Sequence, residues 1–174
     1  NLDRSEKAVV STVTDAAGVR RLMRQAKLKL YIDIPGNGIM MAIPLKSVAG
    51  GRTLAYLTGG KALEGGKPDM DFEYELIVVI LNEGYSELVM DAARAAGARG
   101  GTVLHAKGTG AAVSEKFLGV SLAQEKDMVY IVASSKQKAE IMRSVSQNAG
   151  TGTKAGAICF TLPISEVAGL RQFD

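Results

Sequence analysis

Apolar positions along this chain fall into short blocks whose spacing alternates between strand-like and helix-like. Lys7–Val13 (KAVVSTV) is short and β-branched, the pattern of a buried strand. Asp15 stands where an N-cap belongs. Ala16–Lys27 then places Val19, Leu22, Met23 and Ala26 on one helical stripe. Lys27 and Lys29 suit the negative end of that helix. Pro35-Gly36-Asn37-Gly38 is a turn signal. Ile39–Leu45 reads as the next strand, with Pro44 near its end, where a missing donor is tolerated. Tyr74–Leu81 (YELIVVIL) is the clearest strand pattern in the chain. Ser86 predicts the cap of a helix running to about Ala96, with Leu88, Val89, Ala92 and Ala95-Ala96 facing inward and Gly97 as its left-handed stop. Gly101–Ala106 is the returning strand, and Lys107–Lys126 reads as a loop. A strand at Asp127–Ala133 follows, then a helix over Ser135–Asn148 behind a cap at Ser134 or Ser135, then Gly150 and a strand at Ala157–Leu162.

The first and last of these blocks repeat. Residues 6–50 align with 125–169 without a gap, at a constant offset of 119 (125 − 6 = 119). Glu6-Lys7, Val10, Val13, Met23-Arg24, Ile39, Pro44 and Val48-Ala49-Gly50 recur as Glu125-Lys126, Val129, Val132, Met142-Arg143, Ile158, Pro163 and Val167-Ala168-Gly169, eleven identities in 45 positions. Val9, Leu22, Ile43 and Leu45 match Met128, Ile141, Leu162 and Ile164 in kind. A repeat of this sort must be read before the architecture is assigned. The element order is therefore βαβ, linker, βαβ, loop, βαβ. Two adjacent βαβ units make a β-α-β-β-α-β sandwich of ferredoxin-like type. The fold class expected is α+β, built of such repeats. Residues 72–174 form a complete copy, and residues 1–50 form the second half of a first copy. Residues 51–71, rich in Gly and polar groups, form a linker or an extra strand at Thr53–Leu57. The first half of the first copy is expected to precede residue 1.

Composition narrows the function. Of 174 residues, 47% are hydrophobic but only 5% aromatic, with no Trp, so the core must be Val, Ile, Leu, Met and Ala. The net charge of +3 is small and its cations are scattered without stacking aromatics, which argues against nucleic acid. One cysteine, Cys159, makes no internal disulfide and suits a reducing, cytoplasmic setting. No run of eighteen apolar residues occurs, so no membrane-embedded segment is expected, and no signal-peptide pattern opens the chain. No enzyme constellation is present. His105 is the only histidine, without partners at metal-ligand spacing, and reads as a packing or surface residue. Cys159 reads as a small core hydrophobe. Asp69, Asp71 and Glu73 read as a solvated edge. No catalytic residue and no metal site are expected.

Four stretches of the complete copy resemble the P-II family of nitrogen signalling proteins. Strand YELIVVIL with Ala95-Ala96-Gly97-Ala98-Arg99-Gly100-Gly101-Thr102-Val103 resembles the family's first strand, helix end and "RGxTV" strand. Lys107-Gly108-Thr109-Gly110 resembles the "KGxG" that opens its T-loop. Ala149-Gly150-Thr151-Gly152 through Phe160 resembles its B-loop and outgoing strand, and Pro163-Ile164-Ser165-Glu166-Val167 the "PxEEV" that follows. The resemblance implies a homo-oligomer, a trimer or trimer-like ring, with clefts between subunits that bind an adenine nucleotide, ATP, ADP or AMP, as regulatory ligand. It implies a T-loop that reports the ligand state to a regulated transporter or enzyme. Gly150, Gly152 and Gly156 stand where backbone N–H groups would wrap phosphate, beside Thr151. Thr102 matches an adenine-side threonine, Lys154 would supply charge to a phosphate, and Arg171 matches one of two arginines on the last strand.

The departures are specific. Ala111-Ala112 stand where the family has Arg-Gln, which helps hold phosphate, metal and 2-oxoglutarate. Ile158 stands at the B-loop's terminal lysine, and Gly169 at the other arginine. Each charge-assisted phosphate contact is worth roughly 1.5–3 kcal/mol, so losing two weakens affinity on the order of a hundred- to ten-thousand-fold. In the first copy, Ile32-Asp33-Ile34-Pro35-Gly36-Asn37-Gly38 replaces the B-loop and places an acid where phosphate would sit.

The sequence thus points to a P-II-like regulator. A small-molecule effector would bind Thr102, Lys107, Gly108, Thr109, Gly110 and the 150–156 loop, and the 111–124 loop would control a partner. Phe117-Leu118 in that loop is either folded back on the body or a hydrophobic contact for the partner. Two rival readings remain: an amino-acid-binding ACT-like module with the same element order, and a purely structural oligomer.

Overall fold

A computed structural model describes residues 8–45, 60, 71–108, 116–117, 120–121 and 124–170. In chain order its elements are α1 (Ala16–Leu30), β1 (Met40–Ala42), β2 (Tyr74–Asn82), α2 (Ser86–Ala95), β3 (Thr102–Gly108), β4 (Lys116–Phe117), β5 (Val120–Ser121), β6 (Gln124–Ser134), α3 (Lys138–Ala149), β7 (Ile158–Ile164) and β8 (Glu166–Ala168). The chain divides into two compact units, Asn1–Asp71 with Ile164–Asp174, and Phe72–Pro163.

In the first unit, α1 starts where the sequence places it. Asp15 Oδ1 accepts the Gly18 N–H at 2.7 Å, satisfying one of the donors a helix start leaves free. The helix stops at Tyr31, whose φ of 50° is left-handed. Met23, Ala26, Ile32 and Ala168 form a small core, with Val19, Met40 and Ala42 half-buried against it. β1 pairs antiparallel with β8, Met40 opposite Ala168, and the Ser165 N–H donates to the Ala42 carbonyl at 2.9 Å. Gly169 is obligatory here: its φ is 81°, and a Cβ would come within 2.3 Å of the Gly38 carbonyl oxygen. The strand expected at Lys7–Val13 does not form over residues 8–13. A strand needs a neighbour to satisfy its backbone, and the ladder in this unit, among the described residues, is β1 with β8. Val10 is 93% exposed, whereas its counterpart in the repeat, Val129, is 0% exposed. The expected strand Ile39–Leu45 shortens to Met40–Ala42. The possible strand at Thr53–Leu57 lies outside the described residues.

The second unit is a four-stranded sheet in the order β3-β6-β2-β7, with both helices on one face. β2 and β6 run antiparallel at the centre from Tyr74 opposite Ser134 to Asn82 opposite Lys126, and β3 pairs antiparallel with β6 on its other side. Each βαβ half straddles the first strand of the other, which is the ferredoxin-like arrangement. Alternation along the strands sends Ile77, Val79 and Leu81 of β2 and Val129, Ile131 and Ala133 of β6 toward the helices. There they pack on Val89, Met90, Ala92 and Ala93 of α2 and on Ile141, Val145 and Ala149 of α3. The opposite face carries Leu76, Val78, Ile80, Met128, Tyr130 and Val132. Glu75, buried on the helix side, receives the ammonium of Lys138 from the first residue of α3.

Local chemistry corrects three boundaries. Ser86 is the first helical residue of α2, and Tyr85 occupies the cap position without a side-chain bond. Neither Ser134 nor Ser135 caps α3, because Ser134 Oγ donates to Gln137 Oε1 and Ser135 Oγ to the Phe72 carbonyl; the helix starts three residues later than Ser135. β6 begins at Gln124, not Asp127, because its first residues still pair with β3 through Gly108 opposite Gln124. Gly97 has a φ of 95° and supplies the helix stop as read.

Candidate functional site

The end of the sheet where β2 and β3 finish and β6 begins also holds the turn between α3 and β7. That turn is built in small closed steps. α3 ends at Ala149, and Gly150 must be glycine, since a Cβ there would lie 2.2 Å from the Ser146 carbonyl oxygen. The Thr153 N–H and Oγ1 both donate to the Gly150 carbonyl at 2.9 Å. The Gly156 N–H donates to the Thr153 carbonyl at 3.1 Å, and Gly156 has a φ of 56°. The Ala157 N–H closes the turn onto the Ala149 carbonyl at 2.8 Å.

Asn82, the last residue of β2, fastens this turn to the sheet. Its backbone N–H donates to the Ala155 carbonyl and its side-chain amide to the Lys154 carbonyl, both at 2.9 Å. Lys126 donates its ammonium to Asn82 Oδ1. Thr151, Gly152 and Lys154 remain exposed, and the space a Cβ would take at Gly152 is open to 4 Å. An exposed glycine-bearing turn with nearby ammonium groups is the donor set that suits an anion.

Of the residues the sequence singled out, Lys107 and Gly108 lie at this same end, two strands across from β2, about 10 Å by sheet spacing. Lys107 is exposed and 3.7 Å from Glu125 Oε1. Thr102 does not join them. It sits at the other end of β3, opposite Tyr130, six residues and about 20 Å from Gly108. Thr109, Gly110, Leu118 and Arg171 lie outside the described residues. Phe117 belongs to β4, which pairs with β5 as a two-residue ribbon.

The sequence missed two polar ties at this end. Asn82 lies one residue past the strand expected at Tyr74–Leu81, and its side-chain amide donates to Lys154, 72 residues on. Asp127, the first residue of the strand expected at Asp127–Ala133, is 1% exposed. Its carboxylate accepts the Gly84 N–H at 3.2 Å and His105 Nδ1 at 2.7 Å. The signal available was an acid within an otherwise apolar alternating strand, facing the chain's one histidine. The His105 ring itself is on the surface. Cys159 is half-buried against the core, and burial pushes its thiol pKa up. Among the described residues no group of three His, Cys, Asp or Glu is placed to hold a metal ion. No helix there is long and apolar enough to cross a membrane.

The family described as "Nitrogen regulatory protein P-II" matches residues 74–173. That span is more than half of the chain, and the chain belongs to the P-II family of nitrogen regulatory proteins. Among solved structures the chain is similar to the PII protein of Arabidopsis thaliana bound to citrate, at 22% identity over 55% of this chain and 78% of that chain, with a TM-score of 0.43. No curated protein matches.

Proposed function

We propose that the second unit binds a small anionic effector, an adenine nucleotide by preference, at the sheet end formed by Asn82, Lys107, Gly108 and the 150–156 turn. The observation that carries this reading is the turn itself, closed by its own hydrogen bonds, fastened by Asn82, and open at Gly152. Exposed N–H groups held in place before binding spare the ligand the cost of ordering them. Lys154 supplies charge from the turn, and Lys107 from the strand across the sheet.

Thr102 enters the same reading through a second copy. Its distance from Gly108 along β3 leaves it outside any cleft one chain builds at the other end, so a cleft that uses both takes Thr102 from a neighbouring subunit. Such a neighbour would belong to the homo-oligomer, a trimer or trimer-like ring with effector clefts at its subunit boundaries, that the family resemblance implies. Ligand bound against Lys107 and Gly108 lies just before the 111–124 loop in the chain, and through that loop, Phe117 and Leu118 included, it controls a partner transporter or enzyme. Order–disorder switching of a loop is a common route for such control. Ala111-Ala112 in place of the family's Arg-Gln make the response insensitive to 2-oxoglutarate.

Calorimetric titration with ATP, ADP and AMP, each with and without magnesium and 2-oxoglutarate, tests this. Binding of one nucleotide that 2-oxoglutarate leaves unchanged is the expected result. A folded oligomer that gives no heat with any of them would leave the structural reading in its place.

A further inference from the structure

The first unit differs from the repeat at one place in a way that changes its chemistry. At the offset of 119, residues 31–37 stand where the second unit has Gly150–Gly156. Where that turn offers glycine, threonine and lysine, the first unit has Tyr31-Ile32-Asp33-Ile34-Pro35-Gly36-Asn37. Ile32 points into the small core. Tyr31 and Ile34 are more than half exposed, as are Leu28 and Leu30 in the last turn of α1. The turn is held by its own bonds: the Ile34 N–H donates to the Tyr31 carbonyl at 2.9 Å, the Asn37 N–H to the Ile34 carbonyl at 3.1 Å, and the Asn37 side-chain amide to the Tyr31 carbonyl at 3.0 Å. Tyr31 occupies a left-handed stop where the backbone favours glycine, so the helix end does not explain its ring.

Next to this apolar tip lies a run of positive charge. α1 carries Arg20, Arg21, Arg24, Lys27 and Lys29 and no acidic residue, and all five are exposed. The whole chain is +3 and α1 alone is +5, so the remainder is −2 (3 − 5 = −2). Asp33 in the turn is 3.6 Å from Lys27.

We infer that this end of the first unit docks on an anionic lipid bilayer, with Leu28, Leu30, Tyr31 and Ile34 entering the headgroup layer and the cations of α1 facing the lipid phosphates. Exposed apolar side chains beside clustered cations use both attractions a bilayer surface offers, and a tyrosine flanked by lysines suits the membrane–water boundary. A nucleic acid would use the cations and leave the four apolar side chains in water.

Co-sedimentation of the full chain with vesicles of phosphatidylcholine alone, and of phosphatidylcholine with phosphatidylserine, tests it. The expected result is partitioning that requires phosphatidylserine, falls at least about tenfold in the double variant Arg20→Glu/Arg24→Glu, and falls severalfold in Leu30→Ser/Ile34→Ser. These positions are exposed, so both variants keep the wild-type thermal melt. High salt releases the unmodified chain as well, which checks the charge requirement without any substitution. No phosphatidylserine-dependent partitioning, or partitioning indifferent to both double variants, overturns the inference. Binding of duplex DNA in preference to these vesicles, unchanged by the two serines, overturns it equally.

Discussion

Asp127 holds His105: the carboxylate of a residue 1% exposed accepts the imidazole Nδ1 at 2.7 Å, while the ring stands mostly in solvent. The same carboxylate accepts the Gly84 N–H at 3.2 Å, so one side chain joins β6, β3 and the turn after β2. Removing it leaves a backbone donor without its partner. Asp127→Ala should cost about 1–3 kcal/mol of stability, read from urea denaturation. His105→Ala removes a ring that stands mostly in solvent, where water can take its place on the carboxylate, and should cost about 1 kcal/mol or less. Equal losses in the two variants would mean that the carboxylate matters only for the histidine.

Asn82 is the second long-range tie, and it bears on the proposed effector site. Asn82→Ala loses the bonds to the Lys154 carbonyl and from Lys126, for a stability cost of about 1–2 kcal/mol. Asn82→Asp keeps an acceptor for Lys126 and loses the donor to Lys154, so it should retain more stability than the alanine. Both variants should weaken nucleotide binding, because the turn is no longer pinned. Calorimetric titration of the two side by side, with wild-type affinity in either, would separate the turn from the ligand site.

Two glycines of that turn predict opposite outcomes. Gly152→Val meets open space, so the melting temperature should stay within about 2 °C of wild type while nucleotide binding is lost. At Gly150 a Cβ would press on the Ser146 carbonyl at 2.2 Å, and Gly150→Ala should lower the melting temperature by several degrees. A Gly152→Val protein that binds as well as wild type would remove the turn from the site.

What the sequence disclosed follows the range of each interaction. Asp15 as the cap of α1 and Gly97 as the stop of α2 are set within a few residues, and both were legible. YELIVVIL was legible as a strand because it is buried on both faces of the sheet centre. Val10 and Val129 carry the same side chain in the same repeat, yet only Val129 is in a strand; pairing is a property of the neighbour, which periodicity does not report. β8 escaped notice for the same reason, since its three residues become a strand only against Met40–Ala42. In the candidate site, the motifs that carry the resemblance mark the turn, Lys107 and Thr102 alike, and only the direction of β3 puts Thr102 at the opposite end of the strand from Lys107. The serines before α3 are cap-type residues, but their hydroxyls bond Gln137 Oε1 and the Phe72 carbonyl, and the cap position falls to Gln137.

Cys159 gives the last prediction, and its sign follows from burial. Desolvation disfavours the thiolate and raises the thiol pKa above its ordinary value in the folded chain. A group whose pKa is raised on folding contributes stability below its unfolded pKa, and that contribution is lost as pH rises through the folded value. The native thiol should therefore react slowly with a disulfide reagent at pH 8 and quickly once urea unfolds the chain. Above the ordinary thiol pKa of about 8.5 the wild-type protein should lose stability with rising pH more steeply than Cys159→Ala, because the unfolded chain releases the proton that the folded chain keeps. Parallel alkaline stability curves for the two proteins, or a native thiol as reactive as the unfolded one, would show that the half-buried position on β7 does not shield the sulfur.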